Sequence, residues 1–89
     1  MLYFFNDSCA PCKVLRIKVQ QMIEQDFPKI TLKLINGEFF PETLVQFDVF
    51  STPTLLVFFE SKEFIREGKN VSVTELHDKI RRIYQLFFP

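Results

Sequence analysis

Apolar and polar positions fall in blocks along this chain, and the period of the pattern changes from block to block. Leu2-Tyr3-Phe4-Phe5 is a short apolar, aromatic run stopped by Asn6-Asp7-Ser8, which predicts a buried strand. After Cys9-Ala10-Pro11-Cys12, the residues Cys12, Leu15, Val19, Met22 and Ile23 recur at intervals of three and four. Lys13, Arg16, Lys18, Gln20, Gln21 and Glu24 fill the other side, so the segment to Gln25 reads as an amphipathic helix. Pro11 fits the first turn, where a missing N–H is harmless, and Pro28 lies just past the end. Ile30-Thr31-Leu32-Lys33-Leu34-Ile35 predicts a second strand closed by Asn36-Gly37. Pro41 opens a short helix through about Phe47, with Leu44, Val45 and Phe47 expected to face inward.

Ser51-Thr52-Pro53-Thr54 breaks the chain before the strongly apolar strand Leu55–Phe59. Glu60-Ser61-Lys62 is turn material, and Glu63–Glu67 alternates as an edge strand does, with charges suited to an exposed edge. Ser72-Val73-Thr74-Glu75 has the spacing of a capping box. Val73, Leu76, Ile80, Ile83, Tyr84 and Phe87 then form one helical stripe. The order βαβαββα predicts an α/β fold. A crossover helix joins two parallel strands, a hairpin and a helix follow, and helices cover both faces of a four-stranded mixed sheet.

At 89 residues the expectation is one domain spanning residues 1–89, since two cores do not fit in that length. Eleven basic residues against eleven acidic ones leave a formal net charge of zero with His77 neutral. That balance disfavours a nucleic acid or an acidic membrane as a partner held by bulk charge. The apolar runs, Leu2–Phe5 and Leu55–Phe59 among the longest, are far too short to span a bilayer, and no basic segment precedes an apolar one at the N-terminus. No membrane association and no targeting peptide are therefore expected. Two Gly leave little from which to build a phosphate-cradling loop, and a single His confines Ser–His or Cys–His catalysis to His77. Twelve Phe are more than so small a core easily hides, so some are expected at the surface.

The strongest chemical signal is Cys9-Ala10-Pro11-Cys12 at a strand-to-helix junction. A first helical turn brings two Cα atoms within the roughly 7 Å a disulfide needs. Cys9 at the helix start would have its thiolate stabilised by unpaired N–H groups and the positive end of the helix dipole. Cys12, one turn further, would be buried and protonated. A zinc site needs two more ligands than a monomer offers, although a dimer sharing two pairs would supply them. A purely structural disulfide closing so small a loop restrains little chain entropy. Thr52-Pro53 is the second signal. Proline immediately ahead of a central strand is normally disfavoured, and a cis bond would resolve the conflict by making a tight bend.

With the aromatic strand Leu2–Phe5, Cys9-Ala10-Pro11-Cys12, Thr52-Pro53-Thr54, the apolar strand Leu55–Phe59 and the last amphipathic helix together, nearly the whole chain resembles the thioredoxin superfamily. The resemblance implies a thioredoxin-like fold trimmed to its core, without the additional N-terminal strand and helix of full-length thioredoxins. It implies that Thr52–Pro53 is cis and faces the cysteine pair, and that the backbone of Thr52 pairs with an extended substrate segment. The chain departs from the pattern in places. Ser8 and Ala10 replace the usual Trp and Gly around the first Cys, and Tyr3 and Leu34 stand where thioredoxins bury an Asp and a nearby Lys. Asp7 and Glu38 are candidate substitutes for that carboxylate, or solvated loop charges. Glu67-Gly68-Lys69-Asn70 does not match the glutathione-binding helix start of glutaredoxins.

The expected function is a small cytoplasmic thiol–disulfide oxidoreductase, a monomer that cycles a Cys9–Cys12 disulfide and contributes to redox homeostasis. Cys9 and Cys12 are the catalytic residues; Ala10, Pro11, Thr52 and Pro53 form the substrate groove. No metal and no cofactor beyond the redox-active disulfide are expected. The partners are disulfide-containing proteins and an external reductase or dithiol donor. Two alternatives stand beside it: a thioredoxin-like binding module using an aromatic rim (Phe39, Phe40, Phe50), with idle cysteines, and a metal- or cluster-bridged dimer. His77 reads as a surface or boundary side chain; Lys13 and Arg16 flank the active-site helix and could favour a thiolate or acidic partners, with a solvated face the preferred reading.

Overall fold

The computed structural model describes residues 1–89. Its elements are β1 (Leu2–Phe5), α1 (Ala10–Asp26), β2 (Lys33–Asn36), α2 (Pro41–Gln46), β3 (Thr54–Phe59), β4 (Lys62–Glu67) and α3 (Val73–Phe87). The sheet has four strands in the order β2-β1-β3-β4. β1 and β2 are parallel, joined through α1, while β3 runs antiparallel to both β1 and β4.

Strand alternation sorts the side chains onto two faces. Tyr3 lies opposite Leu55, and Val57 opposite Ile65; these four join Val19, Met22 and Ile23 of α1 and Leu76 and Ile80 of α3 in the larger core. Leu2 lies opposite Leu56, and Phe4 and Leu56 pack on the other face with Val49, covered by Leu44 and Phe47. Both faces of β3 are therefore filled, as its unbroken apolar run requires. The Ser72 hydroxyl accepts a hydrogen bond from the Glu75 N–H at 3.3 Å, the N-cap half of the expected capping box at the start of α3.

Three local expectations are corrected. β2 begins at Lys33, not Ile30. The Ile30 N–H is still held in a turn by the Phe27 carbonyl (3.0 Å), and the parallel ladder opens with Lys33 N–H donating to the Met1 carbonyl (2.9 Å). Val45 does not face inward but is 76% exposed. In a single six-residue helix, Leu44 and Phe47 share the sheet-facing side at i, i+3, and Val45 points away. The hairpin turn is Glu60-Ser61 alone, because Phe59 pairs with Lys62. Both turn residues adopt positive φ (53° and 66°), matching the twist of a two-residue hairpin without glycine. At Gly37 a Cβ would lie 2.9 Å from Leu44 Cδ1, so a side chain there requires Leu44 to move.

Candidate active site

The site lies beyond the C-terminal ends of β1 and β2, where three loops meet. The first, Asn6–Cys9, is a turn in which the Cys9 N–H donates to the Asn6 carbonyl at 3.3 Å. It delivers Cys9 to the N-cap of α1 in extended conformation (φ −90°, ψ 98°), with Pro11 in the first turn. The unpaired N–H groups of that turn and the helix dipole favour an anion at this position, the physical basis for a reactive thiolate. No acidic side chain in the first turn opposes the effect.

Cys9 and Cys12 are joined in a disulfide, with their Cα atoms 5.3 Å apart. The two sulfurs have unequal surroundings. Cys9 is half-buried, whereas Cys12 is 1% exposed and sits on the inward face of α1. Ala10 and Pro11, between them, are exposed.

The second loop carries Thr52 and Pro53, whose peptide bond is cis. Pro53 is fully buried and Thr52 half-buried. The Thr52 hydroxyl accepts a hydrogen bond from Asn6 Nδ2 at 2.9 Å, which ties this loop to the loop that leads into Cys9. Thr52 lies ahead of β3, and its backbone N–H and C=O take part in none of the turn or loop hydrogen bonds. The third loop follows β2. Asn36 Nδ2 donates to Asp7 Oδ1 at 3.3 Å, and the Asn36 carbonyl receives the N–H groups of Phe39 and Phe40 (3.2 and 3.1 Å). Phe39 and Phe40 on this loop and Phe50 before Thr52 are exposed, at 70%, 56% and 91%.

Beneath the site, Tyr3 is completely buried, and its hydroxyl donates to the Cys12 carbonyl oxygen at 2.7 Å. Burial pushes its phenol up to about 12, with the nearby Arg16 charge acting in the opposite direction. Tyr3 is therefore a neutral donor that anchors α1 to β1, not a base. Of the two carboxylates weighed as substitutes, Asp7 lines a small pocket with Cys12, and Glu38 does not. His77 stands elsewhere, with Nε2 3.0 Å from Asp26 Oδ2 and its ring 5.0 Å from that of Phe27. No group of three or more His, Cys, Asp or Glu side chains is placed to hold a metal ion, and no helix is long and apolar enough to cross a membrane.

Sequence reasoning missed Asn6 as the link between the loops, because its side-chain partner is 46 positions away. For Arg16 it ranked a solvated face above a charge that favours the thiolate. Arg16 is half-buried and lines the same pocket as Cys12, a placement hinted at by their i, i+4 spacing.

Residues 1–82 match the family model described as Thioredoxin. The chain is 33% identical over 86 residues to the thioredoxin-like protein YdfQ of Bacillus subtilis, covering 97% of this chain and 76% of that one. It is 32% identical over 66 residues to a thioredoxin of Chlamydia trachomatis, covering 74% of this chain but only 64% of that protein. Thioredoxin 1 from the thermophilic eubacterium Thermosipho africanus superposes with a TM-score of 0.88 at 27% identity, covering 99% of this chain and 97% of the other. Residues 1–82 thus place the chain in the thioredoxin family, and with its Cys9–Cys12 disulfide it is a thiol–disulfide oxidoreductase.

Proposed function

We propose that residues 1–89 act as one domain that reduces disulfides in proteins, with Cys9 as the attacking sulfur and Cys12 as the resolving one. The observation that carries this reading is the asymmetry of the pair: Cys9 half-exposed at the N-cap of a 17-residue helix, and Cys12 buried one turn behind it. In the reduced protein the Cys9 thiolate attacks one sulfur of a substrate disulfide and expels the other as a thiolate, forming a mixed disulfide. The Cys12 thiol loses its proton and attacks Cys9 Sγ. The Cys9–substrate bond breaks, the second substrate sulfur leaves as a thiolate and is protonated, and the Cys9–Cys12 bond forms. Two electrons pass to the substrate, and a dithiol donor or a separate reductase must return them. The covalent bonds made and broken in this sequence are sulfur–sulfur bonds alone.

Ala10 and Pro11 form one wall of the substrate groove, and Thr52 the other, with the buried cis-Pro53 shaping the bend behind it. The free backbone groups of Thr52 suit pairing with an extended segment that carries the target cysteine, a form of strand addition. Reduction is the direction a cytoplasmic setting favours, and the cytoplasm is the proposed location. A second reading, in which the domain holds a partner without exchange, draws on the exposed Phe39, Phe40 and Phe50.

One assay separates the two. With dithiothreitol as donor, the parent protein should accelerate reduction of a test protein disulfide, and Cys9→Ser should fall to the uncatalysed rate. Equal rates for the parent and Cys9→Ser would remove Cys9 from the chemistry and leave the binding reading.

A further inference from the structure

The resolving step poses an electrostatic problem. Cys12 is buried, and burial in apolar surroundings disfavours the thiolate that must form before it attacks. The Tyr3 hydroxyl donates to the Cys12 carbonyl and, as a neutral phenol, takes no proton at neutral pH. One route remains. A pocket of about 90 Å³, large enough for water, opens beside Cys12 and is lined by Phe5, Asn6, Asp7, Lys13 and Arg16.

We infer that Arg16 is the charge partner of Cys12: its guanidinium stabilises the Cys12 thiolate formed during resolution, while the proton leaves through the pocket to water. This rests on the proposed roles of the two cysteines. Arg16 lies four residues after Cys12 on α1, which puts both on one side of the helix. It is half-buried and takes part in none of the protein's ion pairs or side-chain hydrogen bonds. Its charge reaches the Tyr3 phenol, which touches the Cys12 backbone.

The other charged or titratable groups around Cys12 are few. β1 contributes Tyr3, the β1–α1 loop contributes Asp7, and α1 adds Lys13; the segment Phe50–Pro53 contributes none. Asp7 and Lys13 are exposed, opposite in sign and screened by water, and Asp7 also receives the Asn36 amide. Arg16, less exposed, is the least screened. A free cation beside a buried thiol is in this way held ready for an anion that exists only during the second half of exchange.

The test is stopped-flow reaction of the reduced protein with 5,5′-dithiobis(2-nitrobenzoate). Cys9 releases the first thionitrobenzoate, and attack by Cys12 on Cys9 Sγ releases the second. The rate of the second release against pH reports the Cys12 thiolate. Arg16→Gln should raise the midpoint of that profile by about one pH unit. It should also slow the second release at pH 7 several-fold, because the more basic thiolate recovers part of the loss through its greater nucleophilicity. Arg16→Lys should restore most of the shift. The first release should keep its pH profile in both variants, which also reports that they are folded. An unchanged second midpoint in Arg16→Gln, with both releases intact, would overturn the role of Arg16 and leave the oxidoreductase reading standing. A larger slowing in Asp7→Asn than in Arg16→Gln would overturn it in favour of a carboxylate acceptor. Loss of the second release in the parent protein would overturn the inference together with the role given to Cys12.

Discussion

Tyr3 illustrates how one buried side chain serves the site without reacting. Its ring fills the core between β1 and α1, and its single polar atom is satisfied by the Cys12 carbonyl at 2.7 Å. The phenol is held up at about 12 against an ordinary value near 10. Since the folded value lies above the unfolded one, the Tyr3 contribution is fully present below about pH 10 and is lost as pH rises towards 12. The two-unit gap corresponds to about 3 kcal/mol. Urea unfolding of the oxidised protein should lose stability of that order across this window, and Tyr3→Phe should lack that part of the loss while starting about 1 kcal/mol lower at neutral pH. Parallel curves for the two proteins would contradict the assignment. At this scale the sequence made the disulfide-bonded pair legible, because Cys9 and Cys12 are defined by spacing within one turn. The surroundings of the pair were less so: the bond from Asn6 to Thr52 and the half-burial of Arg16 depend on neighbours distant in the chain or on the depth of the helix in the fold.

The elements were legible to the extent that their periodicity is internal. The stripe of α3 predicted Leu76 and Ile80, which are fully buried, and the capping box predicted its start. α2 was misread at Val45 because six residues contain too little periodicity to fix a face, and β2 was read too long because β-rich composition does not say where a partner strand runs. Phe27 lay outside the predicted helix, yet it is buried and packs its ring 5.2 Å from Tyr84 and 5.0 Å from His77, joining the end of α1 to α3. The contrast between faces has a measurable consequence. Ile80→Ala should cost about 2–5 kcal/mol, as expected for a fully buried aliphatic side chain, whereas Val45→Ala should stay within about 0.5 kcal/mol. Chemical denaturation of both variants checks this, and similar losses would contradict the inward and outward placements.

At the scale of the whole molecule, the sheet brings together loops that lie far apart in the chain. β1 feeds the cysteine turn, β2 feeds the aromatic loop, and the central strand β3 begins directly after Pro53, so all three loops converge at one end. Phe39, Phe40 and Phe50 account for much of the aromatic excess that the core does not absorb, and they sit on the two loops tied to the cysteine turn by Asn36–Asp7 and Asn6–Thr52. The account stands on the division of labour between the two sulfurs, and trapping tests that division most directly. Reduced Cys12→Ser, incubated with a disulfide-containing protein, should accumulate a stable mixed disulfide through Cys9, visible as a covalent adduct by mass spectrometry and dissolved by added thiol. Cys9→Ser should give no such adduct. An adduct formed through Cys12 in Cys9→Ser, or none through Cys9 in Cys12→Ser, would contradict it.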